Sequence, residues 1–160
     1  MDYIEQSFRF KVYSSVDELS LQDKEMMFMA IQHLEYAYAP YSKFHVGAAV
    51  RLENGVLCPG SNQENASYPL CMCGERVALY NAAANHPNVA PQAIAITIRN
   101  QKMPIQKPVS PCGACRQVIS EYENIYQSPI RILLKSDVPE VIEISSVKDI
   151  LPLGFDGSFL

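Results

Sequence analysis

Hydrophobic and polar positions change their period several times along the chain, and each change marks an element. Phe8, Phe10 and Val12 alternate with Arg9 and Lys11, the two-residue period of a short, half-buried strand. Ser20 stands where an N-cap belongs, with Asp23 in the first turn of a helix starting at Leu21. Met27, Ile31, Leu34 and Tyr38 then fall at helical spacing, and Pro40 closes the element. That methionine-rich stripe reads as core packing. Val46 to Leu52 reads as a strand, Asn54-Gly55 as a hairpin turn, and Val56 to Gly60 as the return strand. Cys73 to Ala84 has helical composition and stops at Asn85 and Pro87; Ala93 to Ile98 is an apolar strand run. Cys112 to Tyr122 reads as a helix and Ile130 to Leu134 as a strand. Val141, Ile142 and Ile144 make a last strand, of undetermined direction, before a short helical turn near Val147 to Leu151.

Strands alternating with helices predict an α/β fold, a three-layer α/β/α sandwich around a mixed sheet of about five strands. No internal repeat, low-complexity tract or linker interrupts the pattern. The expectation is one domain over residues 1–160, with 1–19 as an N-terminal extension that adds a short strand. A chain of 160 residues suits a single core.

Composition narrows the function classes. Hydrophobic residues at 48% and charged ones at 19% are ordinary for a globular protein. The net charge of −4 argues against gathering long nucleic acids through phosphates, yet leaves a small phosphate-free nucleoside open. Asp2, Glu5 and Arg9 interrupt the first ten residues, so no signal-peptide core is expected there. Met26 to Ile31, the densest apolar stretch, is too short to span a bilayer, and no membrane partner is expected. Five cysteines, an odd number, fit metal binding in the reducing cytoplasm better than a disulfide framework.

The chemistry concentrates in Cys73-Gly74-Glu75 and Pro111-Cys112-Gly113-Ala114-Cys115. Both begin at predicted helix N-termini, where free N–H groups and the helix dipole stabilise thiolates. Cys112 and Cys115 can face one metal from a single turn, and Cys73 supplies a third sulfur from the other helix. Three ligands on a tetrahedral zinc leave one position for water, the layout of a catalytic site, and the metal lowers the pKa of that water. Glu75 lies two residues past Cys73, placed to shuttle protons between water and substrate. Three thiolates on zinc carry net negative charge, which Arg76 could offset by hydrogen-bonding the sulfurs; Arg116 stands second for that duty.

A ligand, one residue, a glutamate and a later Pro-Cys-x-x-Cys form the signature of zinc deaminases, which has an all-cysteine variant. Over about residues 20 to 155 the chain resembles the small homotetrameric cytidine deaminases. The resemblance rests on the block from Ala37 to Phe44, on Val46-Gly47-Ala48-Ala49 and on Asn62 through Tyr68. It continues through Cys73 to Arg76, Pro111 to Gln117, Leu151-Pro152 and Phe155. It implies one Zn2+ per subunit, a homotetramer and a nucleoside substrate. It also implies that Asn62 and Glu64 hydrogen-bond the ribose 3′-hydroxyl, that Phe44 packs on the pyrimidine, and that the Gly74 N–H binds the 2-carbonyl. Tyr68 and Phe155 are the positions it offers for closing a neighbouring subunit's pocket. Three features depart from the family pattern: Gly74 stands where alanine is usual, the N-terminal segment of residues 1–19 is added, and the spacing of the final Leu-Pro-Leu-Gly-Phe run differs.

Blander readings compete. Cys71, Cys73, Cys112 and Cys115 could form a closed, nonenzymatic four-cysteine zinc site, although Glu75 would then have no role. His33, His45 and His86 lack ligand-like spacing and read as structural, and Cys58 has no assigned role. Isolated from their blocks, Phe44 and Tyr68 would read as core, Asn62 and Glu64 as solvated loop. The expected activity is hydrolysis of the C4 amine of cytidine and 2′-deoxycytidine, in pyrimidine salvage. Another nucleoside-like substrate or a polynucleotide cytosine is the alternative; an editing enzyme, however, meets no free 3′-hydroxyl along a continuing strand.

Overall fold

The computed structural model describes residues 1–160, the side chain of Phe159 excepted. Its long elements in chain order are β1 (Phe10–Tyr13), α1 (Leu21–Gln32), β2 (Phe44–Leu52), β3 (Leu57–Ser61), α2 (Gly74–Asn85), β4 (Pro91–Asn100), α3 (Gly113–Tyr126), β5 (Arg131–Lys135) and β6 (Val141–Ile144). The strands form one mixed sheet in the order β1-β6-β5-β4-β2-β3. Only β4 and β5 run parallel, and α3 makes the crossover between them. β6 returns antiparallel to β5, which supplies the direction that its sequence leaves open.

Helices cover both faces. On one, Met26, Met27 and Ala30 of α1 pack on Ala49, Ala93, Ala95 and Leu133. On the other, Ala78 and Leu79 of α2 and Ile119 of α3 pack over Val50, Ile94 and Ile132. β4 is central and covered on both sides, which explains why Ala93–Ile98 is apolar but for the buried Thr97. Among the described residues no helix is long and apolar enough to cross a membrane.

Local signals account for most boundaries. The Ser20 hydroxyl accepts from the Asp23 N–H and caps α1. Gly55 adopts φ +85°, and its N–H closes the β2–β3 turn on the Leu52 carbonyl. α1 ends sooner than its spacing predicts: it tightens into a 3-10 turn at His33–Tyr36. The Tyr38 N–H then donates to Asn62 and its carbonyl accepts from Glu64, a bridge that holds the backbone extended.

The sheet has six strands rather than about five because β1, from the N-terminal extension, joins its edge through β6. Lys11 and Tyr13 fasten it by donating to the two carboxylate oxygens of Glu143. Phe10 and Val12, on the alternate positions, stay about half exposed. Two glycines set helix depth: a Cβ on Gly47 would lie 2.0 Å from the Ala30 carbonyl oxygen, and one on Gly60 would lie 2.3 Å from the Ala78 nitrogen. Both helices rest backbone to backbone on the sheet there.

Candidate metal centre and cavity

Cys73 is the N-cap residue of α2 and Cys112 that of α3, so two helix N-termini converge on one point. Cys115 follows one turn into α3. The Sγ atoms of Cys73 and Cys112 are 3.9 Å apart, those of Cys112 and Cys115 3.5 Å, and all three lie within 4.8 Å of one another. Two sulfurs on one tetrahedral zinc at about 2.3 Å stand about 3.8 Å apart, so the triad fits that ion. Cys71 is not part of the cluster: its sulfur accepts from the Asn65 N–H at 3.2 Å. The closed four-cysteine site is therefore not assembled. Cys58 is buried in the core, and burial pushes its thiol pKa up.

The thiols are unequal. A hydrogen bond from Cys115 and the nearby Arg76 guanidinium drive Cys73 down to about 5, against the cost of burial. Cys115 is held above the ordinary thiol range by that same hydrogen bond and by its burial. Arg76 directs Nη2 at the Cys73 sulfur (3.8 Å) and the Cys71 carbonyl (3.3 Å). Arg116 touches no sulfur; it donates to Ser110, Pro111 and Ile150 instead.

Glu75 sits in the first turn of α2, only 5% exposed. Burial, with the Cys73 charge beside it, pushes its pKa up to about 6. Its Oε2 is buried without a hydrogen-bond partner. Two of the three sulfurs and this carboxyl meet at a cavity of about 480 Å³, lined by Cys73, Cys112 and Glu75 together with Phe44, Asn62 and Glu64; Cys115 lies buried behind them.

Asn62 and Glu64 are braced by backbone. The Asn62 side chain accepts from the Val46 N–H (2.8 Å) and donates to the Phe44 carbonyl (2.9 Å), which leaves one amide proton. Glu64 accepts from the Tyr41 and Ser42 N–H groups on Oε2, which leaves Oε1. Slight desolvation raises its pKa, but the Ser42 and Tyr41 donors outweigh this and hold it below the usual carboxylate range.

The remaining sequence candidates divide. Gly74 opens α2, so its N–H has no intrahelical partner; a Cβ there would stand 2.9 Å from the Val46 oxygen. Tyr68 and Phe155 are exposed and outside the cavity; Tyr68 stacks edge-on with Tyr41 at 5.9 Å, and the Phe155 carbonyl accepts from Gln117. Sequence reasoning passed over Met72, Ile96, Ile98, Val109 and Ser110 as cavity walls. Of these only Ser110 carried a signal, its place just before Pro111-Cys112.

A family profile described as the cytidine and deoxycytidylate deaminase zinc-binding region matches residues 20–129. The cytidine deaminase of Halalkalibacterium halodurans is 39% identical over 134 residues, covering 83% of this chain and 94% of that one. The cytidine deaminase of Sporosarcina psychrophila is 40% identical over 121 residues, covering 76% and 82%. The crystal structure of cytidine deaminase from Burkholderia pseudomallei superposes with TM-score 0.68 at 37% identity, covering 82% of this chain and 97% of that one.

Proposed function

Because this chain belongs to the cytidine and deoxycytidylate deaminase zinc-binding family and catalyses zinc-dependent cytidine deamination, we propose that Cys73, Cys112 and Cys115 hold one zinc and that Glu75 moves the protons. Cytidine and 2′-deoxycytidine take up water at C4 and leave as uridine and 2′-deoxyuridine plus ammonia. The observation that carries this reading is Glu75: a buried carboxyl with one unpartnered oxygen, lining a cavity beside three converging sulfurs.

Zinc, when bound, supplies the Lewis acidity that makes water nucleophilic near neutral pH. Glu75 accepts one proton of the attacking water and passes it to ring N3, then takes the second from the hydroxyl now on C4 and delivers it to the departing amine, which leaves as ammonia. A carboxyl pKa near 6 suits an acid–base group that must both take and give. Arg76 offsets the charge of the sulfurs through Cys73. Phe44 packs on the pyrimidine and the Gly74 N–H binds its 2-carbonyl. The spare Asn62 amide proton and Glu64 Oε1 take the ribose 3′-hydroxyl, which favours free nucleosides over polynucleotides.

In this reading the protein is one domain over residues 1–160 that works as a homotetramer in the cytoplasm, where its thiols stay reduced. Tyr68 and Phe155, exposed outside the cavity of the single chain, belong to neighbouring-subunit pockets. Loss of cytidine absorbance on incubation with the zinc-loaded protein, abolished by a chelator and restored by zinc, is the expected result. Unchanged absorbance with zinc bound defeats the reading. Light scattering behind a sizing column tests the tetramer.

A further inference from the structure

The loop of residues 101–112 between β4 and α3 has no regular structure, yet its last part contributes Val109 and Ser110 to the cavity wall and delivers Cys112. Such a loop needs a fastening if a ligand at its end is to hold a fixed position. One guanidinium provides it. Arg116, the residue after Cys115, donates from Nε to the Pro111 carbonyl (2.8 Å), from Nη2 to the Ser110 hydroxyl (2.6 Å) and from Nη1 to the Ile150 carbonyl (2.9 Å). The next residue, Gln117, donates to the Phe155 carbonyl at 2.9 Å. One turn of α3 therefore grips the cavity wall and the chain beyond β6.

We infer that Arg116 is a positioning residue for deamination: it holds Ser110–Pro111, and through them Cys112, against the C-terminal turn at Ile150. All three acceptors are neutral oxygens, so the guanidinium serves as a rigid three-way fork rather than half of an ion pair. Lysine offers a compact charge on a flexible stem and cannot span the three sites at once. The inference rests on the proposed zinc chemistry for its consequence in catalysis, but the grip on Cys112 can be read separately.

The test compares wild type, Arg116→Lys and Arg116→Ala, with Glu123→Gln as a control that loosens the far end of α3. Three readouts are taken on zinc-loaded protein: the rate of zinc release to a colorimetric chelator, kcat and KM for cytidine, and the visible spectrum after cobalt replaces zinc. Both Arg116 variants should release zinc faster and lose kcat, by about 10- to 100-fold, with KM changed far less. Their cobalt spectra should shift, and added guanidinium, below unfolding concentrations, should restore part of kcat to Arg116→Ala. Glu123→Gln should lower the melting temperature and leave zinc release and spectrum unchanged. Arg116 variants that melt earlier but keep wild-type zinc release, spectrum and kcat overturn the inference. A wild type that binds zinc and leaves cytidine intact defeats the proposed function instead, while the release rates still judge the grip.

Discussion

The first turn of α2 and the last turns of α3 each bury a glutamate, and the two are treated in opposite ways. Glu123 on α3 is 3% exposed and fully engaged. Oε1 accepts from the Ile130 and Val147 N–H groups at 2.8 and 3.1 Å, and Oε2 from the Ser146 hydroxyl at 2.7 Å. It ties the helix end to β5 and to the turn after β6. Glu75 on α2 is about as buried, yet one of its oxygens has no partner and burial holds its proton until about pH 6. A satisfied buried carboxylate is a fastening; an unsatisfied one retains the capacity to exchange a proton. Burial alone therefore does not separate structure from chemistry here. The state of the oxygens does.

The largest expected effect follows from Glu75→Gln. Turnover of cytidine should fall about 10²- to 10⁴-fold, with zinc content and melting temperature preserved. Near-normal turnover would remove Glu75 from its role and collapse the contrast. Next, Cys73→Ser should lose stoichiometric zinc on metal analysis, whereas Cys71→Ser, whose sulfur serves Asn65, should keep it. Zinc loss from both variants would revive the four-cysteine site.

Glu123→Gln reverses the pattern of Glu75→Gln. The amide oxygen can keep the two N–H donors while its nitrogen faces the Ser146 hydroxyl, which must turn to accept; loss of the charged acceptor should cost about 1–3 kcal/mol of stability in urea titrations, with kcat per folded, zinc-loaded molecule unchanged. A fall in kcat without a fall in stability would make Glu123 part of the chemistry. The smallest effect concerns a third buried carboxylate, Glu143. Desolvation raises its pKa, but Tyr13 and Lys11 of β1 and the Arg131 charge outweigh this and hold it below the usual range; Asp23 is lowered likewise by Arg131 and Ser20. Lowered carboxyls stabilise the fold above their unfolded values, 4.5 and 3.8, and that contribution disappears as the pH falls below them. Tyr13→Phe should thus cost about 1 kcal/mol at neutral pH, and the difference in melting temperature should shrink toward pH 3. A pH-independent difference would mean that Tyr13 contributes by packing alone.

The same contrast shows what could be read in the sequence. The convergence of Cys73, Cys112 and Cys115 beside Glu75 is legible because all four lie within one turn of their helix starts, where spacing implies geometry. Ser20, Asn54-Gly55 and the apolar β4 were legible for the same local reason. Glu123 was not: its partners Ile130, Ser146 and Val147 reach it only through the crossover and the last hairpin. Arg116 stands second to Arg76 as a sulfur partner by sequence, but its side chain runs back along α3 to the preceding loop. The end of α1 is not legible in the helical spacing because the bridge from Tyr38 to Asn62 and Glu64 fixes the chain there.

Gly60 carries a further consequence. The backbone of α2 lies on it with no side chain between: a Cβ at this position would stand 2.3 Å from the Ala78 nitrogen and 2.6 Å from the Gly74 oxygen. Side-chain packing elsewhere can drift by compensating exchanges of volume, as cores of this kind tolerate. A seat of bare backbone has nothing to exchange. It acts as a fixed datum from which the height of Cys73 and Glu75 over the sheet is measured, so the seat of their helix depends on a single missing carbon on β3.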